Sequence, residues 1–514
     1  YGTALQAAAF QGHYNIVQWL LDNGADVNAR GGRFETALHA ASYVGNTKVI
    51  QLLIDHGADV NANGGYYGTA LQAAAASLFH SVAVVQLLFE HGADVNARGG
   101  GLGTALQTAS FKGHWEIAQL LLDHEADVDA KEGYYGTALQ AASYKGYTEI
   151  AQVLLDHGAD VNAQGGFYGT ALQAASFEGN LKTAQLLVDR GADVNAKGGH
   201  YGTALQAASS EGDKKSVDFG PELPASYETA LHATSYKGYR EIAKLLLDHG
   251  ADVNAKGGYY GTALQAASSQ FFGGDVQLLL DHGADVNAQG GFYGTALQAA
   301  CFKGNLEIAQ LLVDHGADVN AKGGQYGTAL QAASYKGCGV QLLLEHGADI
   351  NAQGGHYGTA LQAASYNGYG VQLLLEHGAH INAQGGHYGT ALQAASYRGF
   401  WKCVQLLLDH GADVNAQGGF YGTALQAASF GGNLKTAQLL LDHGADVNAM
   451  GGNCKTAFHT ASNQGHMAVA QLLLEHGAHV KQDIDSITPL YEASSEQHQQ
   501  IVEPLNQTGA TVNT

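Results

Sequence analysis

The chain has 514 residues, 46% of them hydrophobic and 14% charged, with 24 basic against 46 acidic residues and a net charge of −22. The apolar share excludes a disordered chain, and no apolar run reaches the ~18 residues of a bilayer span, so membrane insertion is not expected. The acidic balance argues against nucleic acid and other polyanions as partners.

One pattern recurs from the first residues onward. Thr3-Ala4-Leu5-Gln6-Ala7-Ala8, then Leu20-Leu21, then Gly24-Ala25-Asp26-Val27-Asn28-Ala29 make the first copy. Its threonine returns as Thr36, Thr69, Thr104, Thr137, Thr170, Thr203, Thr229, Thr262, Thr295, Thr328, Thr359, Thr390, Thr423, Thr456 and Thr488. Ten of the fifteen intervals between these sixteen markers are 33 residues. Such a period belongs to stacked repeats, each too small to bury its own apolar face. The expected fold is all-α, one elongated solenoid of about sixteen helix-turn-helix-hairpin units.

The copy at Thr104 shows how a unit is built. Thr104 caps a helix carrying Leu106, Ala109 and Phe111, and Lys112-Gly113-His114 ends it. A second helix starts near Trp115-Glu116 and sets Ile117, Leu120 and Leu121 on one stripe. Gly158, Gly316 and their equivalents stop the second helix in the left-handed conformation. Residues such as Asp160 to Gly166 then return the chain to the next threonine. In the fourth copy Glu125 stands in the stop position, at a cost of about 1 kcal/mol if the backbone stays left-handed.

Further along, regularity fails in a few places. The copy at Thr203 is 26 residues long, lacks a leucine-rich second helix and holds Pro221 and Pro224. Residues 210–226 read as an irregular, truncated repeat and a hinge between arrays 1–209 and 227–514; the alternative is a tight loop that leaves the stack continuous. The copies at Thr328 and Thr359 are two residues short before their leucines, at Gly337-Cys338-Gly339 and Gly368-Tyr369-Gly370, which predicts shorter second helices. The last copy, from Glu492 to Gln500, is polar and reads as a C-terminal cap. The chain opens on Tyr1 inside a repeat, without an initiator methionine, so preceding sequence is expected. Cys301, Cys338, Cys403 and Cys454 form no framework, which favours a reducing compartment, cytoplasm or nucleus.

Taken together, the Thr-Ala-Leu-Gln, Ala-Ala, Leu-Leu and Gly-Ala-Asp-Val-Asn-Ala signatures resemble the ankyrin repeat over essentially the whole chain. Twelve copies carry Thr-Ala-Leu-Gln where that family has Thr-Pro-Leu-His, and the hairpins are Gly-Gly-aromatic-Tyr-Gly. Gln6 or Gln72 still offers amide donors and acceptors in the histidine's place. This variant is similar to the long C-terminal arrays of fungal NACHT-type signalling ATPases. The resemblance implies a protein-protein interaction module, the recognition array of a larger cytosolic signalling protein, or alternatively a standalone scaffold without an effector enzyme.

Catalytic, cofactor and metal sites are not expected. Twelve of the 25 histidines occupy one slot, the residue before the stop glycine, where the helix dipole gives them a structural role. Equivalent histidines in neighbouring repeats lie a helix-packing distance of roughly 8–10 Å apart, too far to share zinc ligands at about 2 Å. No phosphate-binding loop of the G-x-x-x-x-G-K type occurs.

Copies that agree so closely make their differences informative. Three residues before the threonine, at the hairpin tip, stand Tyr66, Tyr134, Phe167, His200, Tyr259, Phe292, His356, His387 and Phe420, with Arg33, Gly101 and Gln325 in other copies. Seven residues after it come Phe111, Tyr144, Phe177, Tyr236, Phe302, Tyr335, Tyr366, Tyr397 and Phe430. The next residue is often basic: Lys112, Lys145, Lys237, Lys303, Lys336 and Arg398. The resemblance puts all three slots on the concave groove that holds protein partners. Large rigid rings beside cations suit such a surface. The alternative is that the rings stack on each other between repeats while the tips drift. A steadier aromatic two residues before the threonine, as in Tyr67, Tyr135, Tyr168 and Tyr260, is assigned to packing.

Overall fold

The computed structural model describes residues 2–77, 79, 81–200, 202–209, 231–269, 275–452 and 456–479, with residues 209 and 231–239 described by their backbone alone. The irregular segment 210–226 and the polar last copy lie outside the described residues. Within them are 28 helices, and extended pairing is limited to single bridges such as Gly165 with Gly169.

The copy at Thr137 explains the unit. Thr137 is extended (φ −98°, ψ 167°) and its Oγ1 accepts from Gln140 N at 3.3 Å, while Gln140 Oε1 accepts from Thr137 N at 2.6 Å. This reciprocal cap starts the helix Ala138–Lys145, and Gly146, at φ 72°, ends it. The second helix, Thr148–Asp156, is closed by His157, whose Nδ1 donates to Val153 O at 2.8 Å. The same bond recurs at His56, His91, His124, His249 and His315, so the histidine slot satisfies a helix-end carbonyl. Leu139, Ala142 and Leu154 are buried in the layer's core.

Two compact units make up the chain, residues 1–267 with 281–284, and residues 268–280 with 285–514. In the first, Gln140 Nε2 donates to Ala163 O (3.0 Å) and Gly169 O (2.7 Å), tying one repeat to the next hairpin. Asn162 adds a second tie, donating to Gly191 O at 3.3 Å and accepting from Asp193 N at 2.7 Å. Both ties cross the short copy. Gln206 Nε2 donates to Ala255 O (2.9 Å) and Gly261 O (2.5 Å), and Asn195 Oδ1 accepts from Asp252 N at 2.7 Å. The partners are now 55 and 57 residues apart instead of 29 and 31, longer by the 26-residue interval from Thr203 to Thr229. The helix Ala204–Ser209 therefore takes the hairpin of the following copy as its neighbour, and that copy runs as one helix, Leu231–Asp248, through Gly238.

In the second unit the two shortened copies have six-residue second helices, Val340–Glu345 and Val371–Glu376, against nine in Leu306–Asp314. Each is entered through a left-handed glycine, Gly339 (φ 85°) or Gly370 (φ 74°). The deletions shorten the helices as the spacing predicts.

Candidate partner-binding surface

Backbone bonds hold the hairpin tips of the first unit one above another. Tyr66 N donates to Arg33 O (3.1 Å), Phe167 N to Tyr134 O (3.1 Å), His200 N to Phe167 O (3.0 Å) and Tyr259 N to His200 O (3.3 Å). The ladder brings the rings of Tyr134, Phe167, His200 and Tyr259 into a near-parallel column, with centroids 5.4, 5.1 and 5.9 Å apart. Tyr134, Phe167 and Tyr259 each meet the tyrosine after them edge-on, with centroids 5.1 Å apart. Behind the column, Phe111 stacks on Tyr135 at 4.6 Å, Tyr144 on Tyr168 at 4.9 Å, and Phe177 lies 5.4 Å from Tyr168. The helix-end rings are thus half-buried, Tyr168 and Tyr260 are buried, and Tyr66, Tyr134 and Tyr259 present outer edges to solvent.

Cations lie on this aromatic band. Lys145 Nζ is 4.6 Å from the Phe111 ring centre and 5.3 Å from that of Tyr144, Lys112 is 5.8 Å from Phe111, and Arg33 sits 4.9 Å over Tyr66. Contacts of this kind contribute about 0.5–1 kcal/mol each at exposed sites. Burial raises the phenol of Tyr134, helped by Tyr135; burial, then Glu178 and Tyr66, pushes Tyr135 up to about 12. Burial, then Glu178, raises Tyr144 as well, and burial lowers His200. The phenols stay protonated donors and His200 stays neutral at neutral pH.

The second unit repeats the design with imidazoles. Gln325 N donates to Phe292 O (3.2 Å), His356 N to Gln325 O (2.9 Å), His387 N to His356 O (2.8 Å) and Phe420 N to His387 O (2.9 Å). The rings of His356, His387 and Phe420 stack at 5.2 Å intervals. Phe302 lies on Tyr326 (4.5 Å), Tyr335 on Tyr357 (5.0 Å), Tyr366 on Tyr388 (4.8 Å), Tyr397 on Tyr421 (4.8 Å), and Phe430 meets Tyr421 at 5.0 Å. Arg398 is 4.9 Å from the Tyr366 ring centre, Lys336 is exposed and Lys303 half-buried. Burial, then the neighbouring His387, lowers His356. Tyr236 and Lys237 belong to the helix Leu231–Asp248, with side chains outside the described residues.

Two features escape the three-slot reading. Six residues before the threonine, Arg30, Arg98, Lys131, Lys197 and Lys256 are exposed along the hairpins of the first unit, a signal present in the repeat phase itself. Lys435 Nζ sits 3.3 Å over the Trp401 ring, linking the starts of two successive second helices. Among the described residues, no three His, Cys, Asp or Glu side chains converge as metal ligands, and no helix is long and apolar enough to cross a membrane.

The family described as "Ankyrin repeats (3 copies)" matches residues 5–99, 100–165, 217–290, 272–354, 323–385, 360–451 and 424–514, and "Ankyrin repeat" matches 169–199. No curated protein matches the chain. Among solved structures, the human ASB11 ankyrin repeat domain is similar at 28% identity, over 43% of this chain and 100% of that one, with a TM-score of 0.37.

Proposed function

This chain belongs to the ankyrin-repeat family, and from that premise we propose that it is a protein-binding module whose partner docks on the hairpin tips and first-helix ends. Ankyrin repeats are generally interaction modules, and the family is typically non-enzymatic. One observation carries the reading. The tip slot varies between copies and exposes rings such as Tyr66, Tyr134 and Tyr259 beside a run of aromatic first-helix ends, while the buried leucine, glutamine and threonine slots hardly change; the start of the second helix, with Trp115 and Trp401 exposed, varies as well. The array serves as the recognition element of a larger cytosolic signalling protein of the fungal NACHT type, a role supported by its glycine-rich repeat variant. A scaffold without an effector enzyme is the second reading.

A display selection of protein fragments against the full chain tests the docking surface. Repeated with Tyr134→Ser and Tyr259→Ser together, at unchanged melting temperature, it is expected to lose most binders; a fully retained set would overturn the reading. Sequencing the transcript 5′ of the codon for Tyr1 separates the two roles. A phosphate-loop ATPase domain there supports the recognition element, and repeats back to an initiator methionine support the scaffold.

A further inference from the structure

Charge is segregated on the first unit. Exposed carboxylates recur at the end of its second helices and in the loops beyond, as Asp156 with Asp160 and Asp189 with Asp193, and Glu116 and Glu149 add others at second-helix starts. The hairpins carry the opposite sign. The slot six residues before the threonine reads Arg30, Asn63, Arg98, Lys131, Gln164, Lys197 and Lys256, all exposed. Two carboxylates reach this row, Glu35 at 3.7 Å from Arg30 and Glu132 at 3.0 Å from Arg98, and the row keeps a surplus of cations. In the second unit the same slot reads Gln289, Lys322, Gln353, Gln384, Gln417 and Met450. The positive row is a property of one unit and not of the repeat.

We propose that the hairpin face of the first unit takes an extended acidic polypeptide segment, its carboxylates on Lys131, Lys197 and Lys256 and its apolar side chains along the ring column. The inference rests on the reading that this face binds a protein, and names that partner's chemistry. The rings decide between polypeptide and nucleic acid. Tyr134, Phe167, His200 and Tyr259 cover one another's faces at 5.1–5.9 Å, so bases have no face to stack on. What remains outward are ring edges, which carry partial positive charge, and phenol donors, both suited to carboxylates. The backbone N–H groups of Tyr66, Gly101, Phe167, His200 and Tyr259 already donate to the preceding tips, so recognition runs through side chains rather than through an added strand. Packed helices lie about 8–10 Å apart and an extended chain advances about 3.3 Å per residue, so one layer takes about three residues: acidic residues about three positions apart suit Lys197 and Lys256, and about six apart suit Lys131 and Lys197, with Gln164 between them.

The probes are fluorescent peptides of about 15 residues with Glu at every third position among Val and Thr, the same peptide with Gln for Glu, and a dT oligonucleotide. The full chain is expected to bind the Glu peptide, more weakly as salt rises, and about tenfold more weakly with Lys131→Glu, Lys197→Glu and Lys256→Glu together. Lys322→Glu, in the second unit, should change nothing, and circular dichroism checks that each variant folds. Equal binding of the Gln peptide, lost with Tyr134→Ser and Tyr259→Ser, sinks the charge preference and leaves the protein-binding reading standing. No binding, or binding that neither set of substitutions affects, sinks both. Oligonucleotide binding lost in the same lysine variants would put nucleic acid in the polypeptide's place.

Discussion

Glutamine and glycine travel together in this repeat. All twelve copies with Gln three residues after the threonine have Gly just before it, whereas His39 stands with Glu35, His232 with Glu228 and His459 with Lys455. The structure supplies the reason. Gly136 is left-handed at φ 85°, and a Cβ there would overlap Gln140 Oε1, which must approach the Thr137 amide. His39 reaches Thr36 Oγ1 (2.7 Å) and Gly68 O (2.9 Å) instead, so Glu35 fits, though at φ 65°. Gly136→Ala is expected to cost about 2–3 kcal/mol in urea unfolding, of which the left-handed backbone accounts for about 1–2, and adding Gln140→His should recover about 1 kcal/mol. No recovery would detach the two slots. Glu125 is the other left-handed non-glycine among the described residues, at φ 63°, and Glu125→Gly should stabilise by about 1 kcal/mol. Acid acts on the second copy through His39, whose burial outweighs its hydrogen bond to Gly68 and lowers its pKa from 6.5. The unfolded chain binds that proton below pH 6.5 while the fold does not, so stability falls as pH drops from there towards the folded-state pKa. Changing His39→Gln with Glu35→Gly should flatten that part of a pH-melting curve.

At the scale of the element, a column of serines runs through the first helices. The hydroxyls of Ser143, Ser176, Ser334 and Ser365 are buried without a hydrogen-bond partner, and the copy at Thr295 has Cys301 in this slot. Ser143→Ala removes an unsatisfied polar atom and improves helix propensity, so it should raise stability by about 0.5–1 kcal/mol by thermal melting. A loss of 1 kcal/mol or more would mean the hydroxyl has a partner. Helix starts, stop glycines and the shortened helices Val340–Glu345 and Val371–Glu376 were legible because each depends on neighbours in sequence. The glutamine's amide was legible as a donor, but not its targets at Ala163 and Gly169. The tip ladder was hidden for the same reason, since Tyr134 and Phe167 meet only when two repeats stack. Gly113 and Gly146 end their helices after a lysine, whereas Gly238, in the same Lys-Gly setting, lies inside helix Leu231–Asp248 at a cost of about 1 kcal/mol for an internal glycine.

For the molecule as a whole, stability should behave as a sum of repeat and nearest-neighbour terms, so a substitution acts near its own layer. With Trp19 and Trp115 replaced by phenylalanine, fluorescence reports Trp401 in the second unit. Glu125→Gly should then leave the Trp401 transition in place while raising the circular dichroism signal's midpoint for the first unit; a joint shift would argue for one cooperative block. The first unit sets a row of cations beside the rings of its hairpins, and the net charge of −22 conceals this. The most direct test of the docking surface is hydrogen exchange on the full chain with and without a saturating display-selected peptide. Protection is predicted at the tips around Tyr134, Phe167 and His200 and at the first-helix ends around Tyr144 and Phe177. Protection confined to the second-helix ends and loops around Asp156 and Asp160, with the tips unchanged, would contradict it.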